Sequence, residues 1–287
     1  MWPEILQFDF MRRALLAAVL IGAAAPTVGI FLVQRRLSLI GDGMGHVALA
    51  GVAIGVATGW APTAVALAFA LTAAVGIELL RHRGRTAGDS ALAIVFYGGI
   101  AVGVVTLSKA PGAAVSLPGF LFGAITTTSE ADLWALTALL VPTVALVAAL
   151  RVRLFAVADD PEWSAAAGMP VLRYNILLAV LTSITVVVAM RVVGLLLVSA
   201  LMIVPNATSQ VVARSFRAAL GGAIVIGVFC SVGGVVGSFY LATPSGATIV
   251  VLAVAVFGLV WAGATLARVA GAAMTLQVPA TPSADHR

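Results

Sequence analysis

Asp42 and His46 stand four residues apart inside the run Gly41-Asp42-Gly43-Met44-Gly45-His46-Val47-Ala48-Leu49. At i and i+4 a carboxylate and an imidazole share one face of a helix, so both can reach a single cation. An Asp oxygen and a His nitrogen suit first-row divalent metals such as Mn²⁺, Zn²⁺ or Fe²⁺. Ca²⁺ and Mg²⁺ prefer oxygen alone. Two protein ligands are too few for a tight site. That deficit fits a pathway, which an ion must leave as readily as it enters, with further ligands coming from elsewhere. The structural alternative has Asp42 capping a helix and His46 bonded to a neighbouring carbonyl; such a pair can also relay protons. Met44 is a soft donor whose ordinary role is packing.

These residues lie in a strongly apolar chain. Of 287 residues, 62% are hydrophobic and 9% charged, and the mean hydropathy is +1.14. Such values exceed those of soluble domains of this length and predict an all-α, polytopic membrane protein. The net charge of +5 comes from short basic groups between apolar segments, which are topology signals and not a nucleic-acid face. Cys230, the single cysteine, reads as a small buried residue. The first ten residues carry Glu4 and Asp9 and lack a basic n-region, so no removable signal peptide is expected.

With about 17 to 25 apolar residues per span, nine segments emerge: Ala14–Val33, Leu39–Thr58, Pro62–Leu80, Ser90–Ser108, Leu133–Leu150, Ile176–Met190, Val193–Val212, Ala218–Tyr240 and Ala247–Ala267. The sixth is short and the second is interrupted by glycines. Either could be a partial helix, giving eight to nine transmembrane helices. With the N-terminus outside, the cytoplasmic side collects Arg35, Arg36, Arg81, Arg83, Arg85, Arg151, Arg153, Arg173, Arg214, Arg217, Arg268 and Arg287. The external side has only Arg12, Arg13, Lys109 and Arg191. This asymmetry places the C-terminus in the cytoplasm. Residues 1–276 are expected to form one transmembrane domain and 277–287 a disordered cytoplasmic tail. Counted from Arg36 along a continuous helix, Asp42 would rise about 9 Å and His46 about 15 Å into the bilayer. The external connection Lys109–Asp132 has room for an interfacial helix.

Other polar features are weaker. Glu78 and Asp89 flank Arg81-His82-Arg83-Gly84-Arg85 and read as ion pairing at the membrane surface. Pro205 kinks the seventh segment; Asn206 then bonds a freed carbonyl, glues helices together, or faces a pathway. Asp159-Asp160-Pro161-Glu162-Trp163-Ser164-Ala165-Ala166-Ala167-Gly168-Met169-Pro170 reads as a short cytoplasmic helix, with acids and Pro161 at its start and Gly168 and Pro170 at its end. It is either a docking element or an ordinary structured loop. A phosphate-binding Gly-x-x-x-x-Gly-Lys-Ser/Thr is impossible, because the single lysine, Lys109, stands between Ser108 and Ala110. The chain is therefore not expected to hydrolyse ATP or to be an enzyme.

Several of these pieces recur together. Arg35-Arg36-Leu37-Ser38 with Gly41-Asp42-x-x-x-His46, Gly88-Asp89-Ser90-Ala91-Leu92-Ala93-Ile94-Val95-Phe96, Leu121-Phe122-Gly123, Val198 through Ala207 with Pro205, and Pro244-x-Gly246-x-Thr248-Ile249-Val250 together resemble the ABC-3 family of zinc and manganese uptake permeases. The likeness covers nearly the whole chain, in order. It implies a homodimeric permease of the plasma membrane that imports a divalent metal, zinc or manganese foremost and iron as a further option. It also implies two cytoplasmic ATPase subunits that bind ATP and an extracytoplasmic solute-binding protein that delivers the metal. By the same resemblance Asp42 and His46 line the path, and Asp159–Met169, with Asp159, Asp160, Glu162, Trp163, Ala166 and Gly168, is the coupling helix. Asn206 departs from the family, which usually has a small apolar residue there, and the glycines around Asp42 are denser than usual. The competing function is a secondary transporter or channel for divalent cations without an ATPase partner; a non-transporting membrane scaffold is a third.

Overall fold

A computed structural model of the chain describes residues 7–82, 88–109, 123 and 128–275. Ten helices lie among them: α1 Asp9–Gln34, α2 Ile40–Thr58, α3 Pro62–His82, α4 Gly88–Lys109, α5 Glu130–Asp159, α6 Pro161–Ala166, α7 Val171–Val193, α8 Leu195–Val212, α9 Phe216–Leu241 and α10 Ser245–Thr275. Eight are long and apolar enough to cross a membrane, and α8 is a shorter apolar helix. At 1.5 Å per residue its 18 residues extend about 27 Å, close to a hydrocarbon core of about 30 Å. No strand occurs among the described residues, as a chain that must satisfy its backbone inside lipid requires. The proposed tail, Arg83 and Arg85, and the expected interfacial helix before Ser129 fall outside the described residues.

Local signals explain where the helices begin and bend. Ser129 and Asp132 form a reciprocal capping box at the start of α5, which satisfies amides that would otherwise lack partners. Prolines sit inside α1, α5 and α8, and each is followed by a polar side chain that donates back one turn. Thr27 bonds the Ala23 carbonyl, Thr143 that of Leu139 and Asn206 that of Met202. Each bond goes to the carbonyl next to the one its proline frees, which belongs to Gly22, Ala138 and Leu201 respectively.

The segments differ from the sequence expectation in two places. The sixth is a full helix, α7, of 23 residues, and the glycine-rich second is unbroken. The short member is instead α8, separated from α7 by Gly194 at φ 85°. Beyond Leu150, α5 continues to Asp159, because no glycine or proline stops it before Pro161 and the long Arg151 and Arg153 side chains remain exposed.

α1, α2 and α7 are mostly buried within the protein, while α4 and α10 turn most of their surface outward. α1 packs on α5, α7, α8 and α9; α2 is enclosed by α3, α4, α7 and α8. One end of the bundle joins Gln34 to Asp159, Glu78 to Arg35 and Arg81, and Arg153 to Tyr174. The opposite end joins Arg13 to Glu130, and Arg191 to Asp132 and Thr63. Arg35, Arg81 and Arg153, assigned to one side from the sequence, thus lie at the end opposite Arg13 and Arg191, assigned to the other.

Candidate metal site and partner contacts

α2 carries the Asp and His pair, and its glycines decide how closely its neighbours approach. A Cβ on Gly51 would come 2.5 Å from Ala66 Cα, one on Gly43 2.7 Å from a Leu92 methyl, and one on Gly45 would overlap Leu195. Toward α3 the approach is backbone to backbone and requires glycine, whereas toward α4 and α8 the glycines leave room for the ends of the Leu92 and Leu195 side chains. Across the α2–α4 contact, a Cβ on Gly99 would lie 3.0 Å from the Val47 backbone.

α2 begins at Ile40, after a non-helical elbow that includes Arg36 at φ 56°. The elbow uses residues that a continuous helix would have spent climbing. Asp42 therefore rises only about 3 Å from the helix start and His46 about 9 Å, nearer this end of α2 than a continuous helix would place them. Asp42 sits in the first turn, where the helix dipole favours a carboxylate.

The two side chains do face each other. His46 Nε2 lies 3.8 Å from Asp42 Oδ1, with the side chains 15% and 29% exposed respectively. That is too long for a hydrogen bond. Two ligands each about 2.1 Å from one ion stand about 3.0 to 3.4 Å apart, so the pair is spaced nearly as donors to a shared cation are. Neither structural use expected of the pair is made: no side-chain bond caps α2, and His46 Nδ1 is buried without a partner. The imidazole meets the Phe96 ring nearly edge-on, with centroids 4.6 Å apart and planes at 72°. Leu39, Asp42, Leu92, Ala93, Phe96 and Tyr97 line an open cleft of about 240 Å³. Phe96 and Ser199, whose hydroxyl lies 3.5 Å from Asp42 Oδ1, were not singled out from the sequence. Their role comes from helices far along the chain. No group of three or more His, Cys, Asp or Glu that could hold a metal occurs among the described residues.

Asn206 is fully buried, and its amide donates to Pro26 O on α1 at 3.0 Å and to Met202 O at 2.7 Å. Of the uses expected for it, helix glue is the one its nitrogen performs; the carbonyl freed by Pro205 belongs to Leu201. Glu78 is not a surface residue: it is 3% exposed, 2.9 Å from Arg81 and 3.9 Å from Arg35. Cys230 is buried.

At the same end, Asp160 caps α6 by accepting from Trp163 N at 2.8 Å, and Pro161 opens the helix. Gly168, at φ 79°, ends the segment. Ser164 turns inward, whereas Asp159, Asp160, Glu162, Ala166 and Gly168 are exposed, and Trp163 is 63% exposed. An exposed tryptophan between acids and small residues is a surface that can be covered by another protein.

A bundle of apolar helices, with an Asp and His pair on one of its most enclosed helices and a small acidic helix at one end, is that of a multi-pass membrane protein. The ABC 3 transport family matches residues 7–263, and the chain belongs to it. It is 30% identical over 258 residues to the manganese transport system membrane protein MntC of Halalkalibacterium halodurans, covering 90% of this chain and 88% of that one. It is 26% identical over 250 residues to the high-affinity zinc uptake system membrane protein ZnuB of Haemophilus influenzae, covering 87% and 96%. A solved structure, PsaBC from Streptococcus pneumoniae in complex with Fab, contains a chain that superposes with a TM-score of 0.81 at 29% identity, covering 91% and 95%. The protein is accordingly a multi-pass permease of the plasma membrane, of the class that serves ABC transporters of manganese and zinc.

Proposed function

We propose that this chain is the membrane-spanning subunit of an ATP-driven importer of a divalent transition metal, zinc or manganese. It receives the ion from an extracytoplasmic solute-binding protein and releases it to the cytoplasm by alternating access. The observation that carries the reading is the Asp42 and His46 pair, held 3.8 Å apart on α2, with His46 Nδ1 buried and unpartnered. Lining the path is the role that uses both donors.

The chain works as a homodimer. Asp42 is part of a cleft that opens beside Tyr97 and Ile94 on α4, which are 68% and 70% exposed. A carboxylate left facing lipid is costly. A second copy laid over this face covers the cleft and doubles the donors from two to four, the number a divalent transition metal commonly takes. The basic end of the bundle lies in the cytoplasm by the positive-inside rule, with the N-terminus outside, and nine crossings then leave the C-terminus inside. Energy enters at that end. α6 is the coupling helix, its Trp163 and acids docking on a cytoplasmic ATPase subunit that binds the ATP.

The test is metal accumulation in cells carrying the complete transporter, with wild type, Asp42→Ala and His46→Ala at matched membrane levels, across Zn²⁺, Mn²⁺ and Fe²⁺. Both variants are expected to lose at least tenfold of the uptake of one metal. Persistent uptake in both would make the pair structural.

A further inference from the structure

The polar side chain that reaches Asp42 from another helix is Ser199 of α8, with Oγ 3.5 Å from Asp42 Oδ1. Its position is set by the way α8 packs along α2. A Cβ on Gly45 would overlap Leu195, and one on Gly41 would lie 3.4 Å from Met202 Sδ. α2 and α8 therefore run antiparallel where they touch, with residue 45 opposite 195 and residue 41 opposite 202. Residue 199 is one turn from both 195 and 202 on the same face of α8, which places it opposite Asp42. The register of α8 along α2 thus brings residue 199 beside residue 42.

The acceptor sets this position apart. Thr182, Thr185 and Thr208 fold their hydroxyls back on carbonyls of their own helices, and Ser183 and Ser209 reach backbone carbonyls of neighbouring helices. Ser199 instead directs its hydroxyl at a carboxylate on the neighbouring helix. It is 8% exposed between the fully packed Val198 and Leu201, where a plain apolar residue would serve packing better. At 3.5 Å the O···O separation exceeds an optimal hydroxyl bond of about 2.7 to 2.8 Å. It matches the spacing of two oxygens at about 2.1 Å from one ion. The cation within reach of Asp42 then meets two oxygens and one nitrogen from this chain.

We propose that Ser199 is the specificity-determining residue of the metal site: its hydroxyl positions the Asp42 carboxylate and enriches the donor set in oxygen, favouring Mn²⁺ over Zn²⁺. The inference rests on the metal-transport reading above. Raw affinity of nitrogen and oxygen sites rises from Mn²⁺ to Zn²⁺, so a site that carries manganese must discriminate through ligand type and geometry. An added hard oxygen on a separate helix does both. Removing it leaves one oxygen and one nitrogen per chain; replacing it with a thiol adds a soft donor that selects zinc.

The experiment is competitive uptake of Mn²⁺ and Zn²⁺ supplied together to cells carrying the complete transporter, comparing wild type with Ser199→Ala, Ser199→Cys and Ser199→Thr at matched membrane levels. Alanine is the best helix former and is smaller than serine, so the first variant is expected to fold. The Mn²⁺ to Zn²⁺ uptake ratio is expected to fall about tenfold in Ser199→Ala and further in Ser199→Cys, with Ser199→Thr retaining most of the wild-type ratio. An unchanged ratio in Ala and Cys, a parallel loss of both metals, or a wild type that carries zinc and excludes manganese overturns the role of Ser199. A wild type that takes up neither metal overturns the transport reading itself, which the wild-type lane reports separately.

Discussion

Replacing Glu78 by glutamine tests how the elbow before α2 is held. The carboxylate is 3% exposed and touches Arg81 at 2.9 Å and Arg35 at 3.9 Å, the latter 9% exposed. Burial lowers the Arg35 pKa from its ordinary value, Glu78 opposes that shift, and Arg81 adds to it. Glutamine keeps the size and removes the charge, so packing is conserved while only the destabilising influences on Arg35 remain. Removing one partner of a buried pair costs about 3 to 5 kcal/mol. Arg81 is 23% exposed and keeps water, and the Arg35 contact is long, so the loss belongs at the lower end, about 3 kcal/mol. For a chain of this size that corresponds to about 6 °C in melting temperature. The assay is thermal unfolding of the purified protein in lipid nanodiscs, beside Asp9→Asn as a control. Asp9 and Arg12 are paired at 3.6 Å but are 83% and 64% exposed, so that control should move stability by no more than about 0.5 kcal/mol. A shift for Glu78→Gln below about 2 °C, or no larger than that of Asp9→Asn, would refute the reasoning that burial makes this ion pair structural.

Three further outcomes are expected. Gly51→Ala forces a methyl to within 2.5 Å of the Ala66 backbone, whereas a methyl at Gly76 meets nothing within 4 Å. The first should cost about 1 to 3 kcal/mol by overpacking, and the second should stabilise by about 0.5 to 1 kcal/mol through helix propensity, both read as melting-temperature shifts. Trp163→Ala, at a side chain 63% exposed, should leave the melting temperature within about 1 °C. It should nevertheless weaken co-purification with the ATPase subunit at least tenfold; unchanged association would remove α6 from the docking surface. Asn206→Leu loses the bond to Pro26 and should destabilise by about 0.6 to 1.7 kcal/mol. Metal uptake per folded copy should stay at the wild-type level, and a selective loss of uptake would put Asn206 on the path.

The sequence and the structure agree where the governing physics is local. Long apolar runs are helices because lipid leaves the backbone no other open-ended choice. The four-residue spacing puts Asp42 and His46 on one face of α2. The acids, proline and glycine around Trp163 delimit α6 almost to the residue, since caps act within one turn. Local signals fail for the length of α7: the apolar run marks Ile176–Met190, whereas the helix runs from Val171 to Val193 with Arg173 and Asn175 inside it, since nothing there breaks a helix. They also fail for the elbow before α2, whose turn has no proline or glycine of its own and includes Arg36 at positive φ.

What remained hidden in the linear order is every contact that joins distant segments. Glu78 lies 43 positions beyond Arg35 and buries against it. Asn206 crosses 180 positions to Pro26, and Ser199 crosses 157 to Asp42. Such partners depend on which glycine faces which neighbour and at what register, a matter of close packing between whole helices that no window of sequence contains. Hydrophobicity and spacing thus specify the helices and the donor pair, whereas the surroundings of that pair, a buried serine on one side and a phenylalanine on the other, arise only when the bundle closes.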